Sequence, residues 1–142
     1  MTIARLIEGR GGAVFSCTAD MTVRQAVALL AEKRIGALPV LEGNAVAGIF
    51  SERDVVYRLT SDGPAVLDMP VGAVMTAPAV TVAPDTDVMA ALGLMTRRRI
   101  RHLPVVEAGE MTGFVSIGDL VKFRIDHIEA EAAAMRDYIQ TA

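Results

Sequence analysis

The chain has 142 residues, with 14 basic and 17 acidic side chains and a net charge of −3. Its 52% hydrophobic and 22% charged content excludes a disordered chain and suits one domain, or two small halves sharing a core. The net acidity argues against non-specific nucleic-acid binding, and a single cysteine, Cys17, excludes an intramolecular disulfide and a cysteine zinc cluster.

In chain order, MTIARLIEGRGG lacks the long apolar stretch of a signal peptide, and no run approaches the ~20 residues that span a bilayer. The expectation is a soluble, cytoplasmic protein with neither a membrane nor a nucleic-acid partner. Ile3–Ile7 reads as a short helical lead-in. Val14-Phe15-Ser16-Cys17 reads as a strand. A helix opens at Thr22 with Gln25 three residues on, a capping-box pattern, and Val23, Ala26, Val27 and Leu30 form its apolar stripe. A hairpin follows, Leu38–Leu41 and Val46–Phe50, turning through Glu42-Gly43-Asn44. The next helix starts at Ser51-x-x-Asp54, and Ser61-Asp62-Gly63-Pro64 marks a junction.

The order then recurs. Val71–Met75 is a second lead-in, Val80-Thr81-Val82 a strand, and Asp87 caps a helix. Leu103–Val106 and Met111–Val115 form a hairpin through Ala108-Gly109-Glu110, and Ser116-x-x-Asp119 starts the last helix. Pairing residues 20–56 with 85–121, without a gap, gives 14 identities in 37 positions. They include Leu38-Pro39-Val40 with Leu103-Pro104-Val105, Gly48 with Gly113, Ser51 with Ser116, and Asp54 with Asp119. The chain is a duplicated unit, β-α-β-β-α twice, of mixed α/β (α+β) class. A sheet this small cannot bury its own face, so the copies should pack together about a pseudo-twofold axis. The boundaries are placed at 1–66 for the first repeat, 67–125 for the second and 126–142 for a C-terminal helical extension, all one folding module.

No Pro or Gly interrupts Asp119–Ile139, and Val121, Ile125, Ile128, Ala132, Met135 and Ile139 alternate four and three residues apart. That seam covers its own module or builds a homodimer; the Ala-rich end favours partial exposure and a partner.

Each Ser-x-x-Asp has two readings. As a helix cap, its hydroxyl and carboxylate satisfy free backbone N–H groups. As a ligand site, the helix N-terminus attracts phosphate, the serine donates to a phosphate oxygen, and the aspartate accepts from vicinal ribose hydroxyls. Capping and binding are compatible. No nucleophile–base set emerges from one cysteine with His102 and His127, and neither a metal-ligand cluster nor a phosphate-binding Gly-rich lysine loop is present in the sequence. The chain is expected to be non-catalytic, without a catalytic cofactor or metal. Arg97, Arg98 and Arg99 close a helix, where cations suit the negative dipole end.

The ordered set of Thr/Asp-Val, Ile-x-x-Leu-Pro-Val and Gly-hydrophobic-x-Ser-x-x-Asp, seen twice, resembles tandem CBS domains, the paired sensor unit called a Bateman module, in its stand-alone bacterial form. The resemblance covers roughly residues 10 to 125. It implies binding of adenosine nucleotides (AMP, ADP or ATP) in two clefts between the copies, assembly as a flat homodimer, and regulation of an unidentified partner protein. Carried onto this chain, site A would combine Ser51, Arg53 and Asp54 with Val80, Thr81, Ile100, Arg101 and His102. Site B would combine Ser116 and Asp119 with Ser16, Cys17, Ile35, Gly36 and Ala37. The aspartates would hold ribose, the serines phosphate or ribose, and the strand and pre-Leu-Pro backbone adenine. Arg53, Arg101 and His102 in site A stand where site B has Gly118, Gly36 and Ala37, so site A is expected to take the more negative ligand. An NAD(H) sensor using the same adenosine residues remains open, as does an interaction module in which both Ser-x-x-Asp motifs only cap helices.

Overall fold

The computed structural model describes residues 1–11 and 13–141. In chain order it has α1 (Ile3–Arg10), α2 (Val23–Lys33), β1 (Ala37–Glu42), β2 (Ala45–Ser51), α3 (Glu52–Asp62), α4 (Val71–Val74), α5 (Val88–Arg98), β3 (His102–Glu107), β4 (Glu110–Ser116) and α6 (Ile117–Thr141). A 3-10 helix, Gly63–Asp68, joins α3 to α4. The expected pair of α+β repeats holds, and the local chemistry explains why. Thr22 accepts from the Gln25 N–H while the Gln25 side chain receives the Thr22 N–H, which completes the capping box of α2. Asp87 caps α5 by accepting from Met89 and Ala90 N–H groups. Both helices end on an arginine in the left-handed region, Arg34 at φ 54° and Arg99 at φ 55°.

The two hairpins are antiparallel, and each carries an irregularity at the same place, between Val40 and Leu41 and between Val105 and Val106. The strands expected over Val14–Cys17 and Val80–Val82 are corrected to one parallel bridge each, Cys17 with Val40 and Val82 with Val105. The reason lies in the partner strand. Cys17 donates to Pro39 O and accepts from Leu41 N–H. The next rung back would need an N–H from Pro39, which proline lacks. Pro104 stops the Val82 rung in the same way, since Val82 donates to Pro104 O and accepts from Val106. Beyond each bridge the chain turns away, with Met21 N–H bonding Thr18 O and Thr86 N–H bonding Ala83 O.

Two apolar cores result, and each borrows its lid from the other copy. Val71 and Val74, in the lead-in to copy two, are buried with Val23, Leu30, Leu38 and Phe50 of copy one. Ile3 and Leu6, in the lead-in to copy one, are buried with Val88, Met95, Leu103 and Leu120 of copy two. Backbone bonds fix the exchange: Val71 N–H to Met21 O, Val23 N–H to Met69 O, Ile3 N–H to Thr86 O and Val88 N–H to Met1 O. Neither copy closes its core alone: each core is completed by the lead-in of the other copy. The assigned limit at 66/67 falls inside the 3-10 helix and the one at 125/126 inside α6, which runs through it unbroken.

Close packing at the lead-ins separates two glycines that occupy equivalent positions. A Cβ on Gly48 would stand 2.8 Å from both Met75 Sδ and Thr76 O, whereas on Gly113 it would meet the flexible Ile7 Cδ1 at 2.5 Å. Thr76 O is fixed by the Ile49 N–H and cannot retreat. Gly48→Ala is therefore expected to cost about 1–3 kcal/mol by overpacking, and Gly113→Ala clearly less, in parallel urea unfolding curves.

The face of α6 that carries the predicted seam does not cover its own module. Val121, Ile125, Ile128, Met135 and Ile139 are exposed by 41%, 48%, 46%, 60% and 67%. No helix among the described residues is long and apolar enough to cross a membrane.

Candidate functional site

Both Ser-x-x-Asp motifs are complete caps. At α3, Asp54 Oδ2 accepts the Ser51 N–H at 2.8 Å, and the Asp54 N–H reaches Ser51 Oγ at 3.4 Å. At α6, Asp119 Oδ2 accepts the Ser116 N–H at 2.9 Å, and the Asp119 N–H reaches Ser116 Oγ at 3.1 Å. Each following N–H is tied back to its own copy, Glu52 to Gly36 O and Ile117 to Arg101 O. The segment before Leu-Pro thus lies against the helix start that follows its own hairpin.

Each carboxylate takes one further bond from the opposite copy's lead-in, and here the two sites part. Asp54 Oδ1 accepts a neutral hydroxyl bond from Thr76 at 2.9 Å. Asp119 Oδ2 accepts a guanidinium bond from Arg10 Nη1 at 2.7 Å. Both aspartates are half-buried, so water and ligand can still reach them. Arg10 and Thr76 were missed by sequence reasoning. At the repeat offset of 65 residues Arg10 pairs with Met75 and Gly11 with Thr76, unlike residues that gave the sequence no signal for either contact.

His102 lies where the copies meet. Its ring stacks on Phe114 at 5.6 Å between centroids, and a Cβ on Gly36 would be 3.7 Å from its Cε1 and 3.4 Å from Glu52 Oε1. Burial pushes its pKa below the ordinary 6.5, partly countered by the charges of Asp119 and Glu52, with Arg101 reinforcing the depression. The electrostatic neighbour of His102 in the Ser-x-x-Asp pairs is thus Asp119, although His102 was assigned alongside Asp54. Because the folded protein holds this proton less firmly than the unfolded chain, stability falls as pH drops through 6.5 toward the lower folded value. Urea midpoints measured between about pH 7.5 and 5.5 should show that loss, and His102→Gln should flatten it.

The other assigned residues divide as follows. Arg53 crosses between copies, donating from Nη1 to Arg99 O at 3.0 Å. Arg101 is exposed beside the start of α6. Ile35 and Ile100 pack against the cores of their own copies, as does Val80. Thr81 is exposed and Ser16 half-buried. Ala37 and Cys17 are buried at 2%, and burial pushes the Cys17 thiol up to about 11, which makes it a core side chain rather than a reactive one. Of the groups expected around Asp54, Arg53 serves a backbone carbonyl, Arg101 is exposed and the His102 ring feels Asp119, while Asp119 takes its guanidinium from Arg10, which was not expected there.

Two segments, residues 13–61 and 71–126, match the model of the CBS domain. The chain is similar to the mitochondrial CBS domain-containing protein CBSX3 of Arabidopsis thaliana, with 37% identity over 98% of this chain and 72% of that one. A solved protein with CBS domains from Burkholderia ambifaria superposes with a TM-score of 0.82 at 36% identity, over 89% of this chain and 95% of that one. A CBS domain protein from Pyrobaculum aerophilum, solved in complex with AMP, gives a TM-score of 0.74 at 27% identity, over 84% and 89%.

Proposed function

The chain belongs to the CBS domain family, and on that premise we propose that it is a non-catalytic sensor of adenosine nucleotides, AMP, ADP or ATP, held between its two copies. The observation that carries the reading is the pair of half-buried aspartates, each at a helix N-terminus and each touched by the other copy. A carboxylate so placed can trade its Thr76 or Arg10 partner for the two hydroxyls of a ribose, while the helix end favours the phosphate. The similarity to a protein solved with AMP supports the same class of ligand. Because each site draws on both copies, bound nucleotide would favour one arrangement of the copies, and that is how binding would become a signal. Equilibrium binding of AMP, ADP, ATP and NAD(H) to nucleotide-free protein tests the proposal. Saturable binding of at least one adenosine nucleotide supports it, a preference for NAD(H) redirects it to a dinucleotide sensor, and no binding overturns it.

The exposed stripe on α6 supports a homodimer as the working form. Five large apolar side chains at helical spacing, on a helix with Val56 and Tyr57 exposed at 59% and 67% on the equivalent α3, are more than a solvated face requires. Sedimentation should give a dimer, and Ile125→Asp with Ile128→Asp should shift it to monomer by placing two charges in a buried seam.

A further inference from the structure

The Arg10–Asp119 ion pair occupies the very carboxylate that the proposed function gives to ribose, which the Thr76–Asp54 contact does only through a neutral hydroxyl. A cavity of about 580 Å³ opens beside it between α1 and α6. Leu6 and Phe123 line it with apolar surface, Arg5, Arg10 and Lys122 with positive charge, and Asp119 and Asp126 with negative charge. Lys122 is already paired with Asp126 at 2.8 Å, whereas Arg5 has no acidic partner among the described residues. Arg10 is the last residue of α1, just before Gly11 at φ 63°, while Ile3 and Leu6 anchor the helix at its other end. Its side chain can leave Asp119 without disturbing the core.

We propose that Arg10 is a specificity-determining residue: it holds Asp119 until a ligand brings a phosphate to exchange for it, with the phosphate seated in the α1–α6 cavity between Arg10 and Arg5. The inference rests on the nucleotide reading of the Asp119 site. A ribose that takes both carboxylate oxygens displaces the guanidinium from Oδ2 and, without a phosphate, offers it nothing. A nucleotide breaks the same pair but returns a charge-assisted, bidentate bond from Arg10 to phosphate. The Asp119 site should therefore reject adenosine and accept AMP, whereas the Asp54 site, released by a threonine hydroxyl, should discriminate less. This reverses the expectation, drawn from Arg53, Arg101 and His102, that the Asp54 site takes the more negative ligand.

The test uses the full chain carrying Asp54→Asn, so that only the Asp119 site is read, titrated with AMP and with adenosine. Loss of one charge-assisted contact corresponds to about a tenfold to hundredfold change in affinity. Arg10→Gln should weaken AMP by about that factor while leaving adenosine unchanged or tighter, so the AMP-to-adenosine preference collapses. Arg10→Lys, which keeps the charge, should retain part of the preference and guards against a merely misfolded glutamine variant. An unchanged preference in Arg10→Gln overturns the role of Arg10 and leaves the nucleotide site standing. Failure of the parent to bind AMP at all, in a protein that binds no nucleotide with Asp54 intact either, overturns both.

Discussion

Replacing Asp54 and Asp119 together by asparagine is expected to weaken nucleotide binding at both sites by about tenfold to a hundredfold while leaving the fold intact. The substitution separates the two jobs of these residues. Asn keeps a side-chain oxygen to accept the Ser51 and Ser116 N–H groups, now bonded at 2.8 and 2.9 Å, so both caps survive. Losing the partly exposed Arg10 pair costs at most about 1 kcal/mol. The charge that would grip a ribose is gone, and hydrogen bonds to an ionised group are worth about 1.5–3 kcal/mol each. Each single variant should thus lose about tenfold to a hundredfold in affinity at its own site. Binding that persists in the double variant, with unchanged affinity, would leave the carboxylates as caps and nothing more.

The largest expected loss of stability is Phe50→Ala. Phe50 is fully buried, pairs across the hairpin with Leu38, and packs with Val66, Val71 and the rest of the first core. Removing its ring should cost about 3–5 kcal/mol, a large share of the roughly 5–15 kcal/mol that holds a domain folded. The equivalent position in copy two is Val115, also fully buried but smaller, so Val115→Ala should cost less. Because Val71 and Val74 of the second lead-in close the Phe50 core, urea unfolding should remain a single transition rather than splitting by copy. A biphasic curve would contradict the exchanged lead-ins.

The repeat made most of the fold legible, because helix caps and hairpin turns are local. Thr22 with Gln25, Asp87, and both Ser-x-x-Asp motifs announce their helices within four residues, and the structure places all four. The first strand of each copy was over-read. Val14–Cys17 and Val80–Val82 have strand composition, but the number of rungs is set by Pro39 and Pro104 on a segment more than 20 residues away. The tail seam was legible as a helix and its exposure was the favoured expectation, yet periodicity alone cannot say what a stripe faces. The site was half legible. Asp54 and Asp119 carry a motif; Arg10 and Thr76 carry none, because each acts only where the crossed lead-ins deliver it. Sequence proximity placed Arg53, Arg101 and His102 with Asp54, whereas among the described residues the guanidinium bonded to a Ser-x-x-Asp carboxylate is that of Arg10, on Asp119.

Adenosine nucleotide is proposed to bind between the copies with its ribose on the Ser-x-x-Asp carboxylates. A crystal structure of the protein grown with saturating AMP tests it most directly. Ribose hydroxyls are expected within hydrogen-bond distance of Asp54 or Asp119, with Thr76 or Arg10 displaced from the carboxylate that is used. AMP bound elsewhere, or both carboxylates still holding Thr76 and Arg10 at the distances found here, would contradict it.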